Sequence, residues 1–165
     1  MTAMKPMSVI DKVAGHGGLW TVDTNVLVYA LEKTDRNHAR PQALKQTLAR
    51  KLLAGLSAGE KPQYVGQVVS ECLNVLLRKQ TLSNAQAYEV VHLLAQDGTV
   101  LPASANAYAQ AWLLVRDHRY QVWDALIIAV CAEHGIKTLY SEDAGSLQRP
   151  LGVHVVNPFA SLEAA

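Results

Sequence analysis

The stretch Gly18-Leu19-Trp20-Thr21-Val22-Asp23-Thr24-Asn25-Val26-Leu27-Val28-Tyr29-Ala30 constrains this chain more than any other. It opens as a short apolar run, Leu19 to Val22, which reads as a buried strand, and switches at Thr24 to a helical pattern. Between the two stands one carboxylate, Asp23. A strand that turns straight into a helix is the repeating unit of an open α/β sheet, where functional groups collect at the carboxyl ends of strands. Asp23 is equally well suited to cap the following helix, because Asp, Thr and Asn side chains accept hydrogen bonds from a helix's free N–H groups. The recurrence of this punctuation at Asp124 and Asp143 makes capping alone a less complete account.

Further along, the same alternation continues. The pattern predicts a polar loop over 32–38, and a long helix over 39–58 with Leu44, Leu48, Leu52 and Leu56 at helical spacing. Gln63-Tyr64-Val65 reads as a second strand and feeds a helix over 67–79. On that helix Val68, Val69, Cys72, Leu73, Leu76 and Leu77 share one face, and Gln67, Glu71, Asn74 and Arg78 the opposite stripe. Ser83 opens a helix to about Gln96. A third strand, Thr99-Val100-Leu101, follows, and then a helix from Ser104 with Tyr108, Trp112 and Val115 on one side. The segment 122–134 is the most apolar helix, predicted to be buried nearly all round, with Gly135 just past its end. Strands over 136–140 and 151–156 complete the pattern, and Asn157-Pro158-Phe159 starts a tail. Strands alternating with helices imply a parallel sheet with right-handed crossovers. The expected fold class is therefore α/β: one domain over 19–165, with a central parallel sheet of about five short strands flanked by helices. Residues 1–18 read as a loosely ordered N-terminal extension.

Composition narrows the function. The 165 residues are half apolar and 18% charged, which is globular, and the formal charge of +1 excludes nucleic-acid binding by bulk positive charge. Any such role must rest on a local site or a bound cation. Cys72 and Cys131 lie on apolar helix faces and read as small core residues, and no Cys spacing of the metal-binding kind occurs. The six histidines show no paired ligand spacing. Residues 1–18 lack the apolar core of a signal peptide and no run of 18 apolar residues occurs, so neither export nor a membrane span is expected, and a reducing cytoplasm is the expected compartment.

Four of the 14 acidic residues stand out by position. Asp23 and Asp143 follow strands, Asp124 starts the most apolar helix, and Glu71 lies early in the helix after the second strand. In a parallel sheet these junctions share one edge. Carboxylates that converge raise one another's pKa, and a cation relieves them; all-oxygen ligands select Mg²⁺ or Mn²⁺ over zinc. Each has a plainer reading: Asp124 as an N-cap with Trp123 packed on the core, Asp143 as a first-turn acid, Glu71 as a surface residue beside Arg78. Ser141 adds a hydroxyl near Asp143, or simply caps a helix. No G-x-S-x-G, Walker A or G-x-G-x-x-G motif competes.

The segments Val22-Asp23-Thr24-Asn25-Val26-Leu27, Gln67-Val68-Val69-Ser70-Glu71, Trp123-Asp124-Ala125-Leu126-Ile127, Tyr140-Ser141-Glu142-Asp143 and Val156-Asn157-Pro158-Phe159 resemble, in order and spacing, the PIN-domain family. Within it they look most like the VapC-type toxins of bacterial toxin–antitoxin modules. The resemblance spans about residues 19–160. It implies a single PIN-like domain and a Mg²⁺- or Mn²⁺-dependent endoribonuclease that leaves a 3′-hydroxyl and a 5′-phosphate. Its acidic quartet carries over to Asp23, Glu71, Asp124 and Asp143, around one or two ions. Its Ser/Thr position carries over to Ser141, and Asn25 matches its usual polar neighbour; both would orient carboxylates from behind. Arg78, on the stripe of Glu71, is a weaker candidate for a phosphate contact. The implied partners are an RNA substrate, a small antitoxin protein and a second copy of the chain. Two other readings stay open: a non-catalytic interaction domain of this fold, and a nuclease of the same fold directed at DNA. The 18-residue extension departs from most such toxins.

Overall fold

Asp23 directly follows the first strand of a computed structural model that describes residues 18–32, 40–79, 82–143, 145, 147 and 149–163. The predicted extension, apart from Gly18, and most of the predicted 32–38 loop lie outside the described residues. Strands and helices alternate: β1 (Trp20–Val22), α1 (Thr24–Leu31), α2 (Arg40–Ser57), β2 (Gln63–Val65), α3 (Gly66–Arg78), α4 (Asn84–Asp97), β3 (Thr99–Leu101), α5 (Ala105–His118), α6 (Val122–Glu133), β4 (Thr138–Tyr140), β5 (His154–Val156) and α7 (Ala160–Glu163).

All strand pairings are parallel. β4 lies between β1 and β5, with Val22 opposite Tyr140 and Tyr140 opposite Val156; β2 pairs with β3, with Val65 opposite Leu101. Hydrogen bonding thus divides the five strands into a three-stranded and a two-stranded sheet. The seam between them is bridged by the Thr21 hydroxyl, which donates to the Gln63 carbonyl at 2.6 Å. Across that seam the order reads β3-β2-β1-β4-β5. The chain therefore reverses direction of travel between β1 and β4, and in open α/β sheets the crevice at such a reversal is where ligands bind.

The core explains why these residues form these elements. Ala125 to Cys131 are all buried, so α6 is enclosed on every side, as its uncharged sequence requires. It ends in a Schellman motif: Gly135 takes φ +72°, the Gly135 N–H reaches the Ala132 carbonyl, and the Ile136 N–H reaches the Cys131 carbonyl. Cys72 and Cys131 are buried core thiols. Ser83 caps α4 through a full capping box with Gln86.

Several expectations need correction. The last two strands are shorter than the pattern implied: Ile136 is still tied to the preceding helix through the Cys131 carbonyl, and Pro150–Gly152 forms a 3₁₀ turn with Leu151 and Gly152 at positive φ before β5 begins. On α5 the small residues Ala107 and Ala111, with Leu114, face the core, while Tyr108 and Trp112 are exposed. Leu44 is exposed on α2. Trp123 does not pack on the core; the residue is 58% exposed. Phe159, read as the start of a tail, is fully buried.

Candidate active site

The site begins with a strand end. The Asp23 N–H donates to the Tyr140 carbonyl at 2.9 Å, which ties the end of β1 to the end of β4. Asp23 is the N-cap of α1, its Oδ1 accepting the Thr24 N–H at 2.6 Å. The capping reading is correct, and it leaves the second oxygen for other work: Oδ2 accepts the Ser141 hydroxyl at 2.7 Å. Ser141 caps no helix. Besides serving Asp23, its oxygen accepts the Asp143 N–H at 3.0 Å, which fixes the turn that carries Asp143. No described helix starts at Asp143, so it is not a first-turn acid.

Glu71 is brought in from α3. Its Oε2 accepts the Thr24 hydroxyl at 2.8 Å, and its Oε1 accepts the Gln67 amide at 2.9 Å. It is half-buried rather than a free surface residue. Asp124 sits in the first turn of α6, whose N-cap is Gln121, so it is not the cap. Asn25 is exposed in the first turn of α1, and Arg78 is exposed in the last turn of α3, two turns beyond Glu71.

The four carboxylates feel one another. Burial, then the charges of Asp23, Asp143 and Glu71, push the Asp124 carboxyl up to about 6. Burial also raises Asp23, against the pull of Ser141 and the Thr24 N–H, and the charges of Glu71 and Asp143 add to the rise. Yet among the described residues no three His, Cys, Asp or Glu side chains are gathered tightly enough to hold an ion as they stand. The two facts are compatible. Mutual repulsion acts over several ångströms in a half-buried site, while Thr24, Gln67 and Ser141 hold Asp23 and Glu71 by their oxygens. The donor set is nevertheless all carboxylate oxygen, the kind that suits Mg²⁺ or Mn²⁺.

Two contacts were not anticipated from the sequence. Gln67 and Glu71 stand at i and i+4 on one helix, a spacing that could have disclosed their pairing. Thr24 reaches Glu71 across 47 positions of sequence, and nothing local signals it. A third device holds the chain after Asp143. The Tyr120 hydroxyl accepts the Leu147 N–H at 3.1 Å, and the Tyr120 ring fills the space where a side chain at Gly145 would go: an added Cβ would lie 2.5 Å from it. With φ +64° as well, that position accepts glycine and little else.

No curated protein sequence matches the chain. Among solved structures, Mycobacterium tuberculosis VapC20, a sarcin–ricin loop cleaving toxin, superposes with a TM-score of 0.58 at 21% identity, covering 74% of this chain and 88% of that one. At that identity the likeness speaks for the fold. The family model described as PIN domain matches residues 21–150, most of the chain and every one of the four carboxylates. The chain belongs to the PIN-domain family.

Proposed function

We propose that this protein is a metal-dependent endoribonuclease and the toxin of a toxin–antitoxin module, acting in the cytoplasm. The observation that supports the reading is that Asp23 and Asp124, at the sheet reversal, are raised by burial and by the charges of the neighbouring carboxylates, Glu71 and Asp143 among them. Such a cluster destabilises a fold unless a cation answers it. The structural likeness to a toxin that cleaves RNA favours RNA over DNA as the substrate.

Asp23 and Asp124 would hold the ion directly. Glu71 and Asp143 would complete its surroundings or hold its waters, and one or two ions fit this division. Mg²⁺ or Mn²⁺ held by these carboxylates would supply a water of lowered pKa and positive charge against the reacting phosphate. The chain's own task is placement. Ser141 and the Thr24 N–H fix both oxygens of Asp23, so its orientation is set before substrate arrives. Thr24 and Gln67 do the same for Glu71. Asn25, exposed beside Asp23, would orient a carboxylate or a water, and Arg78 would meet a phosphate of the RNA farther along.

Purified protein with Mn²⁺ or Mg²⁺ is expected to cut a structured RNA to products with 5′-phosphates, and EDTA to stop it. Cleavage of DNA but not RNA would replace the substrate, and cleavage of neither would favour a non-catalytic domain. A homodimer and a small antitoxin that covers the acidic cleft with an Arg or Lys belong to the same proposal. Light scattering should return about twice the 17.9 kDa chain mass; a monomer at tens of micromolar contradicts the dimer.

A further inference from the structure

Beside the carboxylates lies a cavity of about 240 Å³, lined by Val65, Ala103, Tyr108, Leu126, Gln67 and Trp123. Gln67 and Trp123 also line a second hollow of about 230 Å³, together with Glu71 and Asn74. Those two residues therefore line both the first space and the hollow that Glu71 borders. Trp123 immediately precedes Asp124, yet it is 58% exposed, at the start of a helix whose next two turns are wholly buried. Tyr108 and Trp112 are exposed close by on α5, their rings 6.3 Å apart.

Gln67 adds a polar group to the wall. Its amide nitrogen is committed to Glu71, and its amide oxygen is enclosed with no hydrogen-bond partner. Such an acceptor is costly to leave unsatisfied, and a small turn of the side chain that opened it to the cleft would let it accept from an N–H donor there. Size decides the occupant. The cavity is below the ~300 Å³ at which drug-sized sites begin; it has room for a planar ring but not for the row of anchors of a docked helix. Charge points the same way. The chain carries a formal charge of only +1, so a nucleic acid gains little here from its phosphates and must be held by its bases.

We infer that Trp123, Tyr108 and Gln67 form a base-binding subsite: an unpaired nucleobase beside the reacting phosphate stacks on the Trp123 indole and offers a ring or amino N–H to the Gln67 amide oxygen. The inference rests on the nuclease reading for its ligand class, single-stranded RNA. It gives the site a preference for unpaired segments, since a base in a duplex cannot be presented to an indole face.

The test is binding in EDTA, where nothing is cut. The probes are a fluorescein-labelled RNA hexamer and a hexamer of the same length lacking its bases. The wild type should bind the base-bearing hexamer about five- to a hundredfold more tightly, the span of one aromatic stack. Trp123→Ala should remove that preference and Trp123→Phe should keep most of it. Equal affinity of the wild type for the two hexamers, or no measurable affinity for either up to millimolar concentration, overturns the subsite without recourse to any variant. Metal-dependent cleavage by the wild type is scored separately. If the wild type cuts RNA while Trp123→Ala keeps the full preference for bases, the subsite falls and the nuclease stands. If the wild type cuts nothing yet prefers bases through Trp123, the nuclease falls and the subsite stands. If Trp123→Ala only converts a dimer to a monomer and leaves the preference untouched, the face belongs to a second copy and the subsite is wrong.

Discussion

Asp23→Asn should lower metal-dependent RNA cleavage by about three orders of magnitude or more while leaving the fold intact. The substitution keeps size and shape. Asn caps a helix about as well as Asp, so the bond from the Thr24 N–H survives. The atom facing Ser141 becomes an amide nitrogen, which can donate to the Ser141 oxygen in place of the bond Asp23 accepts from that hydroxyl. What disappears is one negative charge at the buried end of β1, where charge is needed to hold and orient a divalent cation. Losses of this size are ordinary when one direct contributor to charge stabilisation in a water-poor site is removed, since each 1.36 kcal/mol of barrier is tenfold in rate. Measured single-turnover cleavage, with melting temperature as the control for folding, checks it. Undiminished cleavage by Asp23→Asn points to a contaminating nuclease or to a different site.

Phe159→Ala should be the most damaging single truncation outside the site, at about 3–5 kcal/mol. Phe159 is fully buried, meets the Tyr29 ring edge-to-face at 5.4 Å, and has its N–H held by the Asn157 side chain at 2.8 Å. The Lys45 ammonium lies 5.5 Å from its ring centre and pairs with Glu142, the residue between Ser141 and Asp143. Removing the ring therefore leaves a cavity under α1 and loosens the anchor of the Asp143 turn. For a domain of this length, 3–5 kcal/mol corresponds to a fall in melting temperature of roughly 6–20 °C. Thermal melts of the wild type, Phe159→Leu and Phe159→Ala should rank in that order. A Phe159→Ala protein that melts within a degree or two of the wild type contradicts the placement.

The fold was legible where the pattern was periodic or punctuated. β2 and β3 stand where their three-residue runs put them, and Ser83, Ser104 and Gly135 bound helices as their chemistry requires. Legibility failed where large apolar residues serve something other than the core. Tyr108 and Trp112 share one side of α5 as their spacing requires, but the spacing does not say which side is buried, and alanines occupy the core face because α5 packs closely on α6. Trp123 failed for the same reason. Phe159 failed in the opposite sense: a lone aromatic after Asn-Pro has no periodicity around it, and only the tertiary fold shows that it closes the core. Around the carboxylates, positions could be read from the strand ends, and the i, i+4 pairing of Gln67 with Glu71 was available from spacing. The support of Glu71 by Thr24 was not, because a contact between distant segments leaves no local trace.

The central claim, that the four carboxylates form a cation site, is tested most directly by thermal melts of the wild type and Asp124→Asn, each in EDTA and in Mn²⁺. The Asp124 carboxyl is raised to about 6, so its charged form is the disfavoured one in the fold. That destabilisation is absent below the ordinary carboxylate range, grows as pH rises toward 6 and is complete above it. At pH 7.5 without metal, Asp124→Asn should therefore be as stable as the wild type or more so, by up to about 1 kcal/mol once screening at a half-exposed group is allowed for. With Mn²⁺ the order should reverse. The wild type should gain as RT ln(1 + [L]/Kd), about 2.7 kcal/mol at a hundredfold excess over Kd, and Asp124→Asn should gain little. A wild-type melting temperature indifferent to Mn²⁺ across the millimolar range contradicts the cation site, and the nuclease with it.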